Sequence, residues 1–248
     1  MISPRNLTAS LKEFFANRGF TSAVVGLSGG IDSAVTLAIA AEALGSKNVF
    51  GLIMPETGVS SPKSAQLAEM VAQQFSVKTV TFPLDKSLQA LIGLPWGFSP
   101  LANQNIRPRL RMLLLYHFAL TRKCLVLGTS NKSEILLGYG TKFGDFAADI
   151  EVIGNLYKTE VYELAEKLKI PKQIIVRPPT AELHPTQTDE EELGGSYKVI
   201  DKILQNIEKS GFILPKNPDE LTQKIYLRVM QNRHKTETTP VLGSFASF

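Results

Sequence analysis

The segment Gly26-Leu27-Ser28-Gly29-Gly30-Ile31-Asp32-Ser33 constrains this chain more than any other. It follows the apolar run Ala23-Val24-Val25 and opens an Ala/Leu/Ile-rich stretch from Ala34 to Leu44. That order spells strand, tight small-residue turn, helix. Such a turn aims backbone N–H groups and the positive end of a helix at one spot, which suits an anion. A Walker A loop would carry Gly-Lys-Ser/Thr where this chain has Ile31-Asp32-Ser33, and Ser28-Gly29-Gly30 does not supply Gly-x-Gly-x-x-Gly. Asp32 is the odd member. A carboxylate facing phosphate repels it unless a cation lies between, so Asp32 is a candidate Mg²⁺ ligand. The competing reading is an acid favoured at a helix start.

The rest of the chain alternates strand and helix. Apolar positions 7, 11, 14 and 15 mark one face of a helix over Leu7 to Arg18. After the loop, strands are expected at 48–54, 77–82, 123–129 and 150–153, with helices at 62–75, 86–92, 105–121 and 158–168. Gly93 to Asn103 reads as a mobile loop, Ile174 to Thr188 as Pro-rich and irregular, and Asp189 to Glu208 and Pro218 to Asn232 as helices. Residues 236–248 read as a loose tail. The expected fold is α/β: a Rossmann-like parallel five-stranded sheet with helices on both faces, plus C-terminal helices. Ligands of such sheets bind beyond the carboxyl ends of the strands, where the loop sits.

Composition narrows the functional classes. The 248 residues suit one α/β domain, and no apolar run reaches the ~20 residues of a membrane span. Met1-Ile2-Ser3-Pro4-Arg5 lacks the apolar core of a signal peptide. The lone Cys124 cannot form an internal disulfide and points to the cytoplasm. A net charge of +4 suits small anions but is no dense nucleic-acid patch. The three histidines, His117, His184 and His234, are too scattered to suggest zinc.

Two further stretches carry chemistry. Gly128-Thr129-Ser130-Asn131-Lys132-Ser133-Glu134 leaves the fourth strand at the same sheet edge as the loop. Glu134 there is either a second metal carboxylate or an acid near a helix cap. Gly138-Tyr139-Gly140-Thr141-Lys142-Phe143-Gly144-Asp145 has three glycines in seven residues and reads as a flexible lid. Lys158 opens a helix, where its charge opposes the helix dipole, so it faces either an anionic ligand or solvent.

Ser-Gly-Gly-Ile-Asp-Ser resembles the pyrophosphate-binding loop of the N-type ATP pyrophosphatases. The later stretches, with Leu156-Tyr157-Lys158-Thr159-Glu160-Val161-Tyr162, Ala181-Glu182-Leu183, Gln187-Thr188-Asp189-Glu190 and His234-Lys235, are similar to the NAD synthetases in particular, over about residues 5–237. The resemblance implies a C–N ligase in which ATP activates the carboxylate of deamido-NAD as an acyl-adenylate and ammonia displaces AMP. It implies that Gly26, Leu27, Ser28, Gly29, Gly30, Ile31, Asp32, Ser33, Thr129, Lys158 and Thr180 contact ATP. Asp32 and Glu134 would hold Mg²⁺, and both would act with Lys158 in catalysis. Arg109, Lys142, Asp149, His234 and Lys235 would contact deamido-NAD. The family is typically homodimeric. Two departures stand out: Arg107-Pro108 where the family pattern is similar to Gln-Ala, and Thr236 where Arg often follows His-Lys. A proline in a first helical turn would be harmless. No room remains for a glutaminase domain, so free ammonia is the expected nitrogen donor, with a separate glutaminase subunit as the alternative. A tRNA thiolase and a non-catalytic nucleotide-binding module are the rival readings.

Overall fold

A computed structural model describes residues 3–91, 94–97, 99–179 and 188–239. Five parallel strands form one sheet in the order β3-β2-β1-β4-β5: β1 (Ala23–Gly26), β2 (Val49–Ile53), β3 (Lys78–Thr81), β4 (Leu125–Gly128) and β5 (Ile150–Glu151). The α/β class and the parallel sheet are as the sequence predicts. The order reverses beside β1, since the chain builds outward through β2 and β3 and then returns to β4 on the other side. That reversal opens a crevice above the carboxyl ends of β1 and β4, where a ligand is expected.

Strand alternation decides what each face packs against. Ala23, Val25, Leu125 and Leu127 look into the larger core, with α1 (Pro4–Arg18), α2 (Ile31–Leu44), α3 (Pro62–Gln74), α7 (Lys158–Lys167) and α8 (Lys172–Ile175). Val24, Leu52 and Val126 look the other way, onto α4 (Asp85–Gln89) and α5 (Pro100–Arg122). The helix α2 is apolar almost all round and buried at ten positions, because it lies between α1, α7 and the sheet. A third cluster joins α6 (Lys132–Leu137) to α10 (Tyr197–Lys209) and α11 (Glu220–Asn232) through Leu137, Tyr197, Ile200, Leu204, Ile225 and Val229. Among the described residues, no helix is long and apolar enough to cross a membrane.

Three boundaries depart from expectation. The helix expected from Asn105 begins at Pro100, because Ser99 accepts the Ala102 N–H and Pro100 fits the first turn. Pro108 therefore lies in the helix interior, buried, and the Gln104 carbonyl loses its helical donor. The single helix expected over Asp189 to Glu208 is two, α9 (Asp189–Leu193) and α10. Gly194 is left-handed at φ +87° and ends α9, and the Tyr197 N–H that starts α10 donates to Glu190. Lys123, expected to start a strand, instead caps α5 at φ +54°.

Candidate active site

The loop after β1 is braced from within. Ser28 Oγ lies 3.2 Å from Ser33 Oγ and accepts the Gly30 N–H at 3.2 Å, while Ser33 Oγ donates to the Gly30 carbonyl at 3.1 Å. Gly29 has φ +76°, and a Cβ there would lie 2.2 Å from the Ser64 carbonyl oxygen of α3. Only glycine meets both demands. Gly30 is the helix cap and has no side chain to occupy the first N–H groups of α2, which stay directed at the crevice.

Asp32 does not cap its own helix. Its Oδ1 accepts from the Asn131 side-chain amide at 3.0 Å, and its Oδ2 from Lys158 Nζ at 2.5 Å, across 126 residues of chain. Lys158 Nζ also lies 3.3 Å from Glu134 Oε1. Asn131 caps α6 in a reciprocal capping box with Glu134. The cap reading of Glu134 is thus met: one carboxylate oxygen closes the cap, and the other faces the lysine.

The conflict at Lys158 is resolved by the protein itself. The side chain is only 2% exposed and is neither solvent-facing nor short of counter-charges. Burial works against its charge, but the Asp32 and Glu134 carboxylates outweigh that and raise its pKa. Burial raises Glu134 instead, with Lys158 opposing and Asp32 reinforcing the rise. When both are ionised, two carboxylates converging on one ammonium leave one surplus negative charge in a buried place. That surplus, in hard oxygen ligands, fits a divalent cation of the Mg²⁺ kind, which takes one or two carboxylates and completes its shell from phosphate and water. Among the described residues, no group of three or more His, Cys, Asp or Glu forms an all-protein metal cage.

A second cluster faces the loop across a cavity of about 710 Å³. Arg109 donates twice to the Lys142 carbonyl, at 3.3 Å each. Lys142 Nζ donates to the His234 carbonyl at 2.5 Å, and Lys235 Nζ to the Gly138 carbonyl at 2.8 Å. Arg109, Lys142, His234 and Lys235 are thereby joined on one wall, with Thr129 and residues 26–28 and 30–33 on the same cavity. Asp149 stands apart: its carboxylate accepts the Val126 N–H of β4 at 2.7 Å and does not line the cavity. Thr180, Ala181-Glu182-Leu183, His184 and Gln187 lie outside the described residues, as does the tail beyond 239.

The expected flexible lid is a packed segment. A Cβ on Gly138 would lie 2.2 Å from Asn232 Cβ, and one on Gly140 would lie 2.4 Å from Asp145 Oδ2. Thr141 bonds Asn105 at 2.7 Å and Asp145 at 3.0 Å. Its glycines allow close approach to Asn232 and Asp145. Arg107, the first departure from the family pattern, grips the buried Glu56 with two bonds of 2.6 Å.

Sequence reasoning passed over several residues. Asn131 was signalled by Asn-x-x-Glu, a capping box pattern. Arg177 lines the cavity beside Ser64, and Tyr139, Asp189 and Glu192 meet at its far end, where the Tyr139 hydroxyl donates to Glu192 at 2.9 Å. Tyr139 and Asp189 stand in stretches quoted above without being singled out, and no local pattern marks Arg177 or Glu192.

A glycine loop after the first strand of a parallel sheet, with two carboxylates and a buried lysine at the sheet's carboxyl edge, defines a nucleotide-binding α/β protein suited to handling a polyphosphate. Basic groups on the opposite wall leave space for a second anionic ligand. A family model for NAD synthase matches residues 4–239, and the chain belongs to that family. It is 42% identical to the NH(3)-dependent NAD(+) synthetase of Archaeoglobus fulgidus, over 91% of this chain and 90% of that protein. The NH3-dependent NAD synthetase from Campylobacter jejuni, solved with a nitrate ion, superposes with a TM-score of 0.81 at 31% identity, covering 96% and 97% of the two chains. The NMN synthetase from Francisella tularensis gives 0.86 at 30% identity, covering 98% and 100%.

Proposed function

We propose that the chain, acting as one synthetase unit in the cytoplasm, amidates deamido-NAD with ammonia at the expense of ATP, giving NAD, AMP and pyrophosphate. The observation that carries this reading is the shared cavity. The anion loop and the Asp32–Lys158–Glu134 trio occupy one wall, and Arg109, Lys142, His234 and Lys235 the other. A carboxylate is a poor electrophile toward ammonia. Its oxygen attacks the α-phosphorus, pyrophosphate leaves, and ammonia then attacks the acyl carbon and expels AMP. Such phosphoryl chemistry asks a protein mainly for positioning and for neutralising charge. The loop amides hold the phosphate tail, Lys158 carries positive charge to it, and the opposite wall orients the anionic dinucleotide. Asp32 and Glu134 would hold Mg²⁺, which when bound supplies charge neutralisation on the phosphates. The buried Cys124 thiol, its pKa pushed up to about 11 by burial, is a packing group and suits a reducing compartment. The working unit in this reading is a homodimer, checked by sedimentation velocity.

The deciding assay mixes the purified chain with ATP, Mg²⁺, ammonium and deamido-NAD and follows NAD. NAD should form with one AMP and one pyrophosphate. If no NAD forms and deamido-NAD fails to stimulate pyrophosphate release, the reading is overturned. The likeness to an NMN synthetase favours a second acceptor, the nicotinate mononucleotide. Under the main reading kcat/KM for deamido-NAD exceeds that for the mononucleotide, and the reverse order would exchange the two.

A further inference from the structure

Phosphate loops of the Walker type carry their own lysine, which reaches the terminal phosphates. Residues 26–33 contain no lysine or arginine. Lys158, the nearest lysine, is held between two carboxylates, and that trio carries net negative charge when all are ionised. Any fixed side-chain cation for an ATP tail on the loop therefore comes from another element. Other basic side chains on the cavity bond groups away from the element that packs on the loop: Arg109 the Lys142 carbonyl, Arg111 the Met54 carbonyl, Lys142 the His234 carbonyl and Lys235 the Gly138 carbonyl.

Arg177 is different in position. It follows α8, lines the cavity, and its Nη2 donates to Ser64 Oγ at 2.8 Å. Ser64 is buried at the start of α3, and its carbonyl is the atom that excludes a Cβ from Gly29. The guanidinium is thus pinned to the residue that packs on the loop. Its five donors in a rigid fork match phosphate oxygens two at a time. We infer that Arg177 is a further polyphosphate-binding residue, standing in for the lysine that this loop lacks and gripping the β- and γ-phosphates that leave as pyrophosphate. Ser64 is its positioning residue.

The inference rests on the reading that the cavity takes ATP, and binding measured apart from turnover tests it. Calorimetry with Mg²⁺ compares ATP, AMP and inorganic pyrophosphate on the wild type, Arg177→Ala, Arg177→Lys and Ser64→Ala. A charge-assisted contact of this kind is worth about 10- to 100-fold in affinity. Arg177→Ala should lose about that factor for ATP and for pyrophosphate while AMP stays within about twofold. Ser64→Ala should show the same selectivity with a smaller loss, and Arg177→Lys should recover part of it. Unchanged ATP affinity, or equal losses for ATP and AMP, would overturn the assignment. Circular dichroism confirms folding, and if the alanine variant does not fold, the lysine variant decides by the same ATP-to-AMP comparison. Selective loss in a protein that makes no NAD would sink the proposed reaction and leave Arg177 in place.

Discussion

Lys158 carries its charge at a helix start, inside the protein, between two acids. No single principle of helix design allows that, and the three groups tolerate it only together. Remove Lys158 and two carboxylates face each other without a counter-charge. The presence of an unusual charge there was legible in the sequence, as a lysine opposing a helix dipole. Its partners were not, because Asp32 and Glu134 come from other segments. A second acid shows the same logic without a partner. Glu151 accepts the Ser130 N–H at 2.9 Å through Oε2, but its Oε1 is buried without a hydrogen-bond partner among the described residues. Burial, helped by Asp145 and opposed by the Ser130 N–H, holds its pKa up to about 7 against an ordinary 4.5. A raised carboxyl pKa means the folded state keeps the proton after the unfolded chain has released it. Stability is then lost as pH climbs from about 4.5 to about 7, and the loss is complete above that. The full penalty is on the order of 3 kcal/mol. Glu151→Gln should raise Tm relative to the wild type more at pH 8 than at pH 5, as read by scanning calorimetry at both. An equal gain at both values would refute the assignment.

The helix α7 has the opposite problem at its start. Tyr157 precedes it and offers no capping oxygen. The cap comes from elsewhere: the Lys158 N–H donates to Ser133 Oγ at 2.9 Å and the Thr159 N–H to Asp201 Oδ2 at 2.9 Å. Ser133 Oγ in turn donates to Asp201 Oδ1 at 2.5 Å. One buried carboxylate on α10 thus fixes the starts of both helices that carry Lys158 and Glu134. Asp201→Ala should cost about 2–4 kcal/mol in urea unfolding, through two unsatisfied donors. Asp201→Asn, which keeps one acceptor, should cost about half as much. Costs below ~0.5 kcal/mol for both would show that water replaces the cap. The elements themselves were mostly readable, since apolar runs bounded by Gly and Pro mark buried strands. The misreadings came where a local signal was overruled. Gly194-Gly195-Ser196 broke an expected helix because the apolar face of α10 turns to pack on α6 and α11. Asp201 itself sits within the apolar stripe of Tyr197, Ile200 and Leu204, and a polar residue there was the sign of a buried partner.

At the scale of the whole molecule, the parallel sheet follows from the alternation of strands and helices, but the strand order and the cavity do not. Its walls come from β1, β2, β4, the helices α2, α3, α5, α6, α7, α8, α9 and α11, and the 3₁₀ turn Arg233–Lys235. Which basic residues would share a wall depends on packing of the C-terminal helices, which no local pattern encodes. Asp149 shows that a motif does not fix a side chain's surroundings, since one of its carboxylate oxygens accepts from the backbone of β4. The proposed use of ammonia also sets an expectation about nitrogen. Ammonium alone should support full turnover, and glutamine without ammonium none. Turnover with glutamine and the purified chain would contradict this, and a glutamine effect only after adding extract would point to a separate subunit.

The ion pair of Asp32 with Lys158 spans 126 residues, and the cap of α7 needs Asp201. During synthesis the ribosome releases the phosphate loop early, but its counter-charges and their clamp emerge long afterwards. A nascent chain that stops at β5 owns the loop, Asp32 and Asn131 and still lacks Lys158, the counter-charge of Asp32. The buried trio of Asp32, Glu134 and Lys158 is therefore complete only once α7 has emerged, and its clamp only once α10 has followed.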